Sequence, residues 1–312
     1  RASQAEQDRD GKRRVFRVTA DEVIAEAPAY GEHVAQMVAR LGRSHLNVRT
    51  QYFSEEVDAE AGLFPPQRMA LMEGLHAWQE RPRVGETYAF LLDVGGEERN
   101  PGQETGGREH DATALVIVAV ERAGLSDPLL RAPGYRMVNL MQWRGDAHTA
   151  LHRRLTALAK TWNPRRVVVD ATGLGAGLAA FLESSLPGRV MRFEFNTLTK
   201  SRLGYGFMEV VDSGRFHLPR SAPAQAESLL DLFRAQCRAC QYQVGQRPAQ
   251  ALHWGVPEHA RDPLTGELLH DDLLLAAALC SRLDDVDWPP AAHAEGGGII
   301  QARDPLEGKE GF

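Results

Sequence analysis

"RRVVVDATGLGAGLAAFLE", residues 165–183, is the stretch on which the fold and chemistry of this chain turn. Its valine-rich run reads as a buried strand, and the glycine-rich turn after it opens onto a helix. Asp170 stands at the strand tip. Two chemistries compete for that position. A carboxylate at a strand tip can hold a divalent cation, whereas glycines between strand and helix can let a pyrophosphate approach a helix N-terminus. "GAGLAA" fits G-x-G-x-x-A, and Glu194 follows at about the twenty-residue distance at which a dinucleotide fold places its ribose-binding acid. Against that reading, the motif comes after three expected strands instead of opening the first βαβ unit. Asp170 would also set negative charge beside the pyrophosphate.

Working outward, "YAFLLDV" (88–94), "ATALVIVAV" (112–120), "YRMVNLMQW" (135–143) and "RVMRFEF" (189–195) join "RRVVVDA" (165–171) as five expected strands. The first two flank a long glycine-rich connection, 95–111, and can form a wide hairpin. Helices are expected at 146–162, 175–185, 200–213 and 224–242, with a last one from Asp271 to Leu283, and a short strand near "ALHW" (251–254). Antiparallel strands followed by alternating helix and strand describe a mixed α/β sheet flanked by helices. Ahead of it, residues 1–18 read as a flexible arm and 19–85 as a small, mainly helical linker segment. A capping box at Thr19 and Glu22 starts a helix running to Leu41. "FPPQRMALMEGLHAW" (64–78) starts another, with Leu71, Leu75 and Trp78 on one face. Residues 289–312 have the composition of a disordered tail.

The 312 residues, 43% hydrophobic and 25% charged, fit a soluble globular protein. The longest apolar runs, 114–120 and 273–280, fall short of the roughly 20 residues of a membrane span, so no membrane partner is expected, and no secretory leader is read at the start. Cys237 and Cys240 form a lone C-x-x-C with no second pair to complete a zinc site; structural thiols in a reducing cytoplasm are expected. The net charge of -6 argues against a surface coated with basic residues. It leaves room for a polyanion held locally through cations and a few Lys or Arg.

Acids occupy positions of one kind. Asp93 ends the first strand, Asp170 ends the fourth, and Asp271 and Asp272 open the last helix. Acids at neighbouring strand tips repel unless cations sit among their oxygens, and hard oxygen donors suit magnesium or manganese. Each acid taken alone reads better as a turn or cap residue than as a ligand, and it is their combination on a strand, strand, helix order that points to metal. Adjacent helix positions diverge by roughly 100°, so Asp272 is favoured as the ligand and Asp271 as cap or outer partner, with both kept in the candidate set.

"LLDVGG" (91–96), "HDATALVIV" (110–118), "VVVDATGLGAGLAAFLE" (167–183), "SRLGYGFMEVVDSGRFHLP" (201–219) and "LLHDDLLLAAAL" (268–279) together resemble the nuclease domain of a bacteriophage large terminase subunit, over about 86–288. The resemblance implies a ribonuclease H-like fold and a metal-dependent endonuclease that cuts concatemeric viral double-stranded DNA during genome packaging. Carried over by motif, it places the acids at Asp93, Asp170 and the Asp271/Asp272 pair, with Asp111 an auxiliary acid that reads equally well as a turn residue. It further implies two ions, Mg2+ or Mn2+, bridged by Asp93 and Asp170 at roughly 4 Å, one activating water and the other stabilising the leaving 3′ oxygen. Partners implied are the packaging ATPase domain, the portal and the small terminase subunit, in the host cytoplasm at the procapsid. "VTADEVIAEAP" (18–28) and "AGLFPPQ" (61–67) are similar to the stretch joining ATPase to nuclease in such proteins. Unlike a complete terminase, the chain has no G-x-x-x-x-G-K-[ST], so ATP hydrolysis is not expected of it.

Two other readings stand beside this one: a non-catalytic packaging or docking module of the same fold, and a Rossmann-type nucleotide-binding enzyme. Lesser candidates are His148 and His152 on one helix face, Lys200, Arg202 and Arg220 as phosphate contacts, and Trp143, Tyr205 and Trp254 as groove residues, all of which also read as ordinary surface or core.

Overall fold

Six strands join in one sheet in a computed structural model that describes residues 18–43, 48–54, 62–95, 112–128, 130–245, 251–263 and 265–289. They are β1 (Tyr88–Asp93), β2 (Thr113–Glu121), β3 (Gly134–Trp143), β4 (Arg166–Asp170), β5 (Val190–Phe193) and β6 (Phe216–His217), in the order β5-β4-β1-β2-β3-β6. β1 pairs antiparallel with β2, and β2 with β3; β4 joins β1, β5 joins β4 and β6 joins β3 in parallel. The expected mixed sheet is therefore present, hairpin strands first and parallel strands after.

β1 and β4 carry apolar residues at almost every position because helices cover both faces of the sheet. The period-two pleat sorts those residues. Phe90, Leu92, Ile117 and Val169 face helices α4 (His148–Trp162) and α5 (Gly175–Ser185). Leu91, Val116 and Val168 face the opposite core, with α6 (Thr197–Asp212), α7 (Ala224–Ala239) and α8 (Asp272–Ala278). After Ala278, α8 tightens into a 3-10 helix, Leu279–Asp285.

Several local expectations are corrected. The helix expected from Thr19 to Leu41 is two, α1 (Ala20–Glu26) and α2 (Ala29–Leu41), separated at Pro28, whose ring cannot continue the ladder. The capping box at Thr19 and Glu22 is present. The helix begun by the Pro65–Pro66 pair, α3 (Pro66–Leu71), stops short: Glu73 bridges Leu218, and Gly74 is backed against the Leu218 carbonyl. Leu75 is consequently 90% exposed, and the face of Leu71, Leu75 and Trp78 does not form. Residues 72–87 run mostly without helix along the sheet, where the Gln79 amide donates to Val138 O at 2.9 Å. α7 ends at Ala239 instead of 242, and Gln241–Val244 forms β7, which pairs antiparallel with β8 (Leu252–Gly255) in a separate two-stranded sheet. β6 and β7 were not expected. Cys237, Cys240 and Cys280 are free and buried, as structural thiols are. No helix among the described residues is long and apolar enough to cross a membrane. The expected arm (apart from Val18), the tail beyond Pro289 and Asp111 lie outside the described residues.

Candidate metal centre

The register of the sheet assembles the acids. β1 and β4 pair up to Leu92–Val169, so Asp93 and Asp170 stand one residue further on, level with each other on adjacent strands about 4.8 Å apart. By the same alternation both follow Leu91 and Val168 onto the α8 face. α8 packs there through Leu273 and Leu274, which brings Asp272, the first residue of the helix, to the strand tips.

Asp93, Asp170 and Asp272 are 8%, 7% and 5% exposed, and they are the only carboxylates so deeply buried among the described residues. Their surroundings differ. Asp170 Oδ1 accepts from the Thr172 amide at 2.8 Å, and the Val94 amide reaches the same carboxylate. Asp272 Oδ2 accepts from the Ala112 amide at 3.2 Å and faces Gln142 Nε2 at 3.5 Å. No described residue donates a hydrogen bond to the Asp93 carboxylate. Burial pushes its pKa well above the usual range, and the neighbouring Asp272, Asp170 and Asp271 push the same way; Lys200 alone pulls against them. Burial raises Asp170 too, against the hydrogen bonds from Thr172 and Val94.

Asp271 takes a different part. It occupies the cap position of α8 without a side-chain cap bond. Its Oδ2 lies 3.5 Å from Lys200 Nζ. Gly255 has φ 152°, and a Cβ there would stand 2.7 Å from Asp271 Oδ2, so the end of β8 closes directly over this ion pair. Trp254 Nε1 donates to Lys200 O at 2.7 Å and its ring packs on Gly204. Beside the acids, Lys200, Trp254, His253 and Phe195 border a cavity of about 360 Å3. Lys200 and Trp254 were only lesser candidates, since a lone lysine and a lone tryptophan carry no signal of their own; their shared attachment to α6 is a tertiary fact.

The donors fit a hard divalent cation: several buried carboxylates, one without a hydrogen bond among the described residues, and Lys200 as the described amine against them. Among the described residues no three His, Cys, Asp or Glu side chains already stand together as a metal-holding group. Repelling carboxylates would have to draw in around an ion.

The glycines after Asp170 have local tasks. Gly173 takes φ 53°, and a Cβ on Gly175 would lie 2.5 Å from the Asp170 carbonyl, so this turn folds tightly back onto its own strand. Glu194 is exposed just past β5. His152 meets Ser185 Oγ at 2.8 Å on the outer helix layer, away from the acids.

Residues 101–251 match the family model described as the terminase RNaseH-like domain. No curated protein matches the chain. Among solved structures, it is similar to the large terminase nuclease from thermophilic phage G20c with bound magnesium, at 15% identity over 72% of this chain and 98% of that one, TM-score 0.48. It is similar also to the Thermus phage P74-26 large terminase nuclease domain, at 15% identity over 74% and 99%, TM-score 0.46. The nuclease domain of the large terminase subunit gp2 of bacterial virus Sf6 follows at 10% identity over 71% and 98%, TM-score 0.43. The resemblance read from the motifs is thus borne out: across residues 101–251 this chain is similar to the terminase RNase H-like domain.

Proposed function

We propose that the chain is a metal-dependent DNA endonuclease of the large-terminase type, cutting concatemeric viral double-stranded DNA during genome packaging in the host cytoplasm. Its nuclease unit would span about 86–288, with 19–85 as the linker towards a packaging ATPase. The observation that carries the reading is the convergence of Asp93, Asp170 and Asp272, all buried, at the ends of β1, β4 and the start of α8. The family match supports it.

Asp93, Asp170 and Asp272 would hold the ions, Mg2+ or Mn2+, with Asp111 as an auxiliary donor and Asp271 as an outer partner. When bound, divalent cations supply Lewis-acid polarisation of the phosphodiester and a water nucleophile at neutral pH. The protein supplies position. Amides of Thr172 and Ala112 each hold one oxygen of the Asp170 and Asp272 carboxylates, which would limit how these acids turn as they close around the ions. Lys200, 33% exposed and next to Asp271, would contact a phosphate of the strand entering the cavity beside it. Cleavage read through phosphates would be weakly sequence-selective.

The test is plasmid cleavage by the chain in magnesium, manganese or EDTA, comparing wild type with Asp93→Asn and Asp170→Asn. Each variant should lose on the order of 100-fold or more in cleavage rate while keeping its circular dichroism. Full activity in either removes that residue from the centre. Metal-independent inactivity of the wild type would favour the docking-module reading.

A further inference from the structure

Away from the acids, a cavity of about 360 Å3 is bordered by arginines from four separate segments: Arg40 of α2, Arg131 before β3, Arg202 of α6 and Arg282 of the 3-10 helix. Three carboxylates border it as well, and each already has its cation. Glu209 is held by Arg40, Asp285 by Arg282 at 2.7 Å, and Asp284 by two Arg215 nitrogens at 2.9 Å each. Arg131 and Arg202 have no carboxylate partner among the described residues. Arg131 is held at φ 45°, a region that non-glycine residues rarely enter, which is how strained functional positions are built. Arg40 Nε is buried without a hydrogen-bond partner. Arg202 and Lys200 stand two residues apart on α6, about 3 Å along its axis but roughly 200° around it, so this cavity opens on a different side of the helix from Lys200 and shares no bordering residue with the cavity there.

Guanidinium groups converging with two left over match the oxygens of a phosphate group, which they bind by paired, charge-assisted hydrogen bonds. A recess of this volume is within the range of small-ligand pockets, whereas a duplex backbone runs along an open surface. We propose that the cavity is an anion site for a compact phosphate, either free or as the phosphate tail of a nucleotide. Because Arg40 comes from α2 and the other arginines from the sheet domain, the bound anion ties α2 to α6 and the 3-10 helix.

Calorimetric titration of the full chain in EDTA with inorganic phosphate, pyrophosphate and ATP tests this. Wild type and Asp93→Asn should bind pyrophosphate saturably at one site, weakening as salt rises. The Arg131→Ala/Arg202→Ala double variant should bind at least tenfold more weakly, and Arg202→Glu, a single exposed change, should do the same with its melting temperature in EDTA unchanged. ATP binding as well as pyrophosphate identifies a nucleotide tail; ATP excluded while phosphate binds identifies the free anion. No saturable binding by the wild type overturns the proposal, as does equal binding by the folded variants. Displacement of pyrophosphate by a short duplex lacking terminal phosphates also overturns it, assigning the arginines to a DNA backbone track.

Discussion

A carboxylate buried beside three others is costly until something positive joins them, and Asp93 is that residue here. Its folded-state pKa is raised, so the metal-free fold is favoured with Asp93 protonated. The stability it contributes is complete below the ordinary carboxylate range, near pH 4, and is lost as pH climbs through the raised value. At neutral pH, ionising Asp93 among these acids without a cation therefore costs stability. Asp93→Asn should stabilise the protein in EDTA at pH 7 and reduce the difference between melting temperatures at pH 5 and pH 7. Scanning calorimetry reads both, and a lower melting temperature for the variant at pH 7 would contradict the electrostatic account. The same variant should gain no melting temperature from added manganese. Asp271 and Asp272 are separable by the same logic. Asp272→Asn should lose activity as Asp93→Asn does, while Asp271→Asn, which removes only the Lys200 pair, should retain most of it; equal losses would show that both serve.

The turn between β4 and α5 shows how an element delivers a side chain. Gly175 sits where any Cβ would press within 2.5 Å of the Asp170 carbonyl, whereas a Cβ on Gly177 meets nothing within 4 Å. Gly175→Ala should push the strand tip and cost about 1–3 kcal/mol, together with weaker manganese binding. Gly177→Ala should be neutral or slightly stabilising because alanine favours the helix. Urea unfolding of the two variants compares them directly; equal costs would mean the tight turn is not what positions Asp170. At this scale most of the structure was legible. β1 to β4 are long apolar runs bounded by turn residues, and α4 to α6 have clear helical spacing. The failures share one cause. Leu71, Leu75 and Trp78 have helical spacing, yet Leu218 captures the chain at Glu73 before the helix can use it. β6 and β7, two and four residues long, exist only because partners pair with them.

Across the whole molecule, the 3-10 helix that follows α8 is tied to the start of β3 and the end of α6. Arg215, only 3% exposed, holds Asp284 with two nitrogens, and Tyr135 Oη donates to the same carboxylate at 2.6 Å. Removing one partner leaves an uncompensated charge, so Arg215→Leu or Asp284→Asn should cost about 3–5 kcal/mol, measured by chemical denaturation; a change below about 1 kcal/mol would show the pair to be well solvated. This anchor keeps α8 on the sheet, and with it Asp272 beside the tips of β1 and β4. By itself the sequence determined the mixed α/β order, the strand tips and the acids that stand on them, because hydrophobic period and turn chemistry are local properties. Tertiary structure alone decided that β4 lies next to β1 in a register that puts Asp93 level with Asp170. It also decided that α8 points Asp272 inward while Asp271 turns to Lys200, and that four arginines distant in the chain share one cavity. Those facts depend on pairing between segments far apart in sequence, where one residue of register slip would turn every side chain to the opposite face.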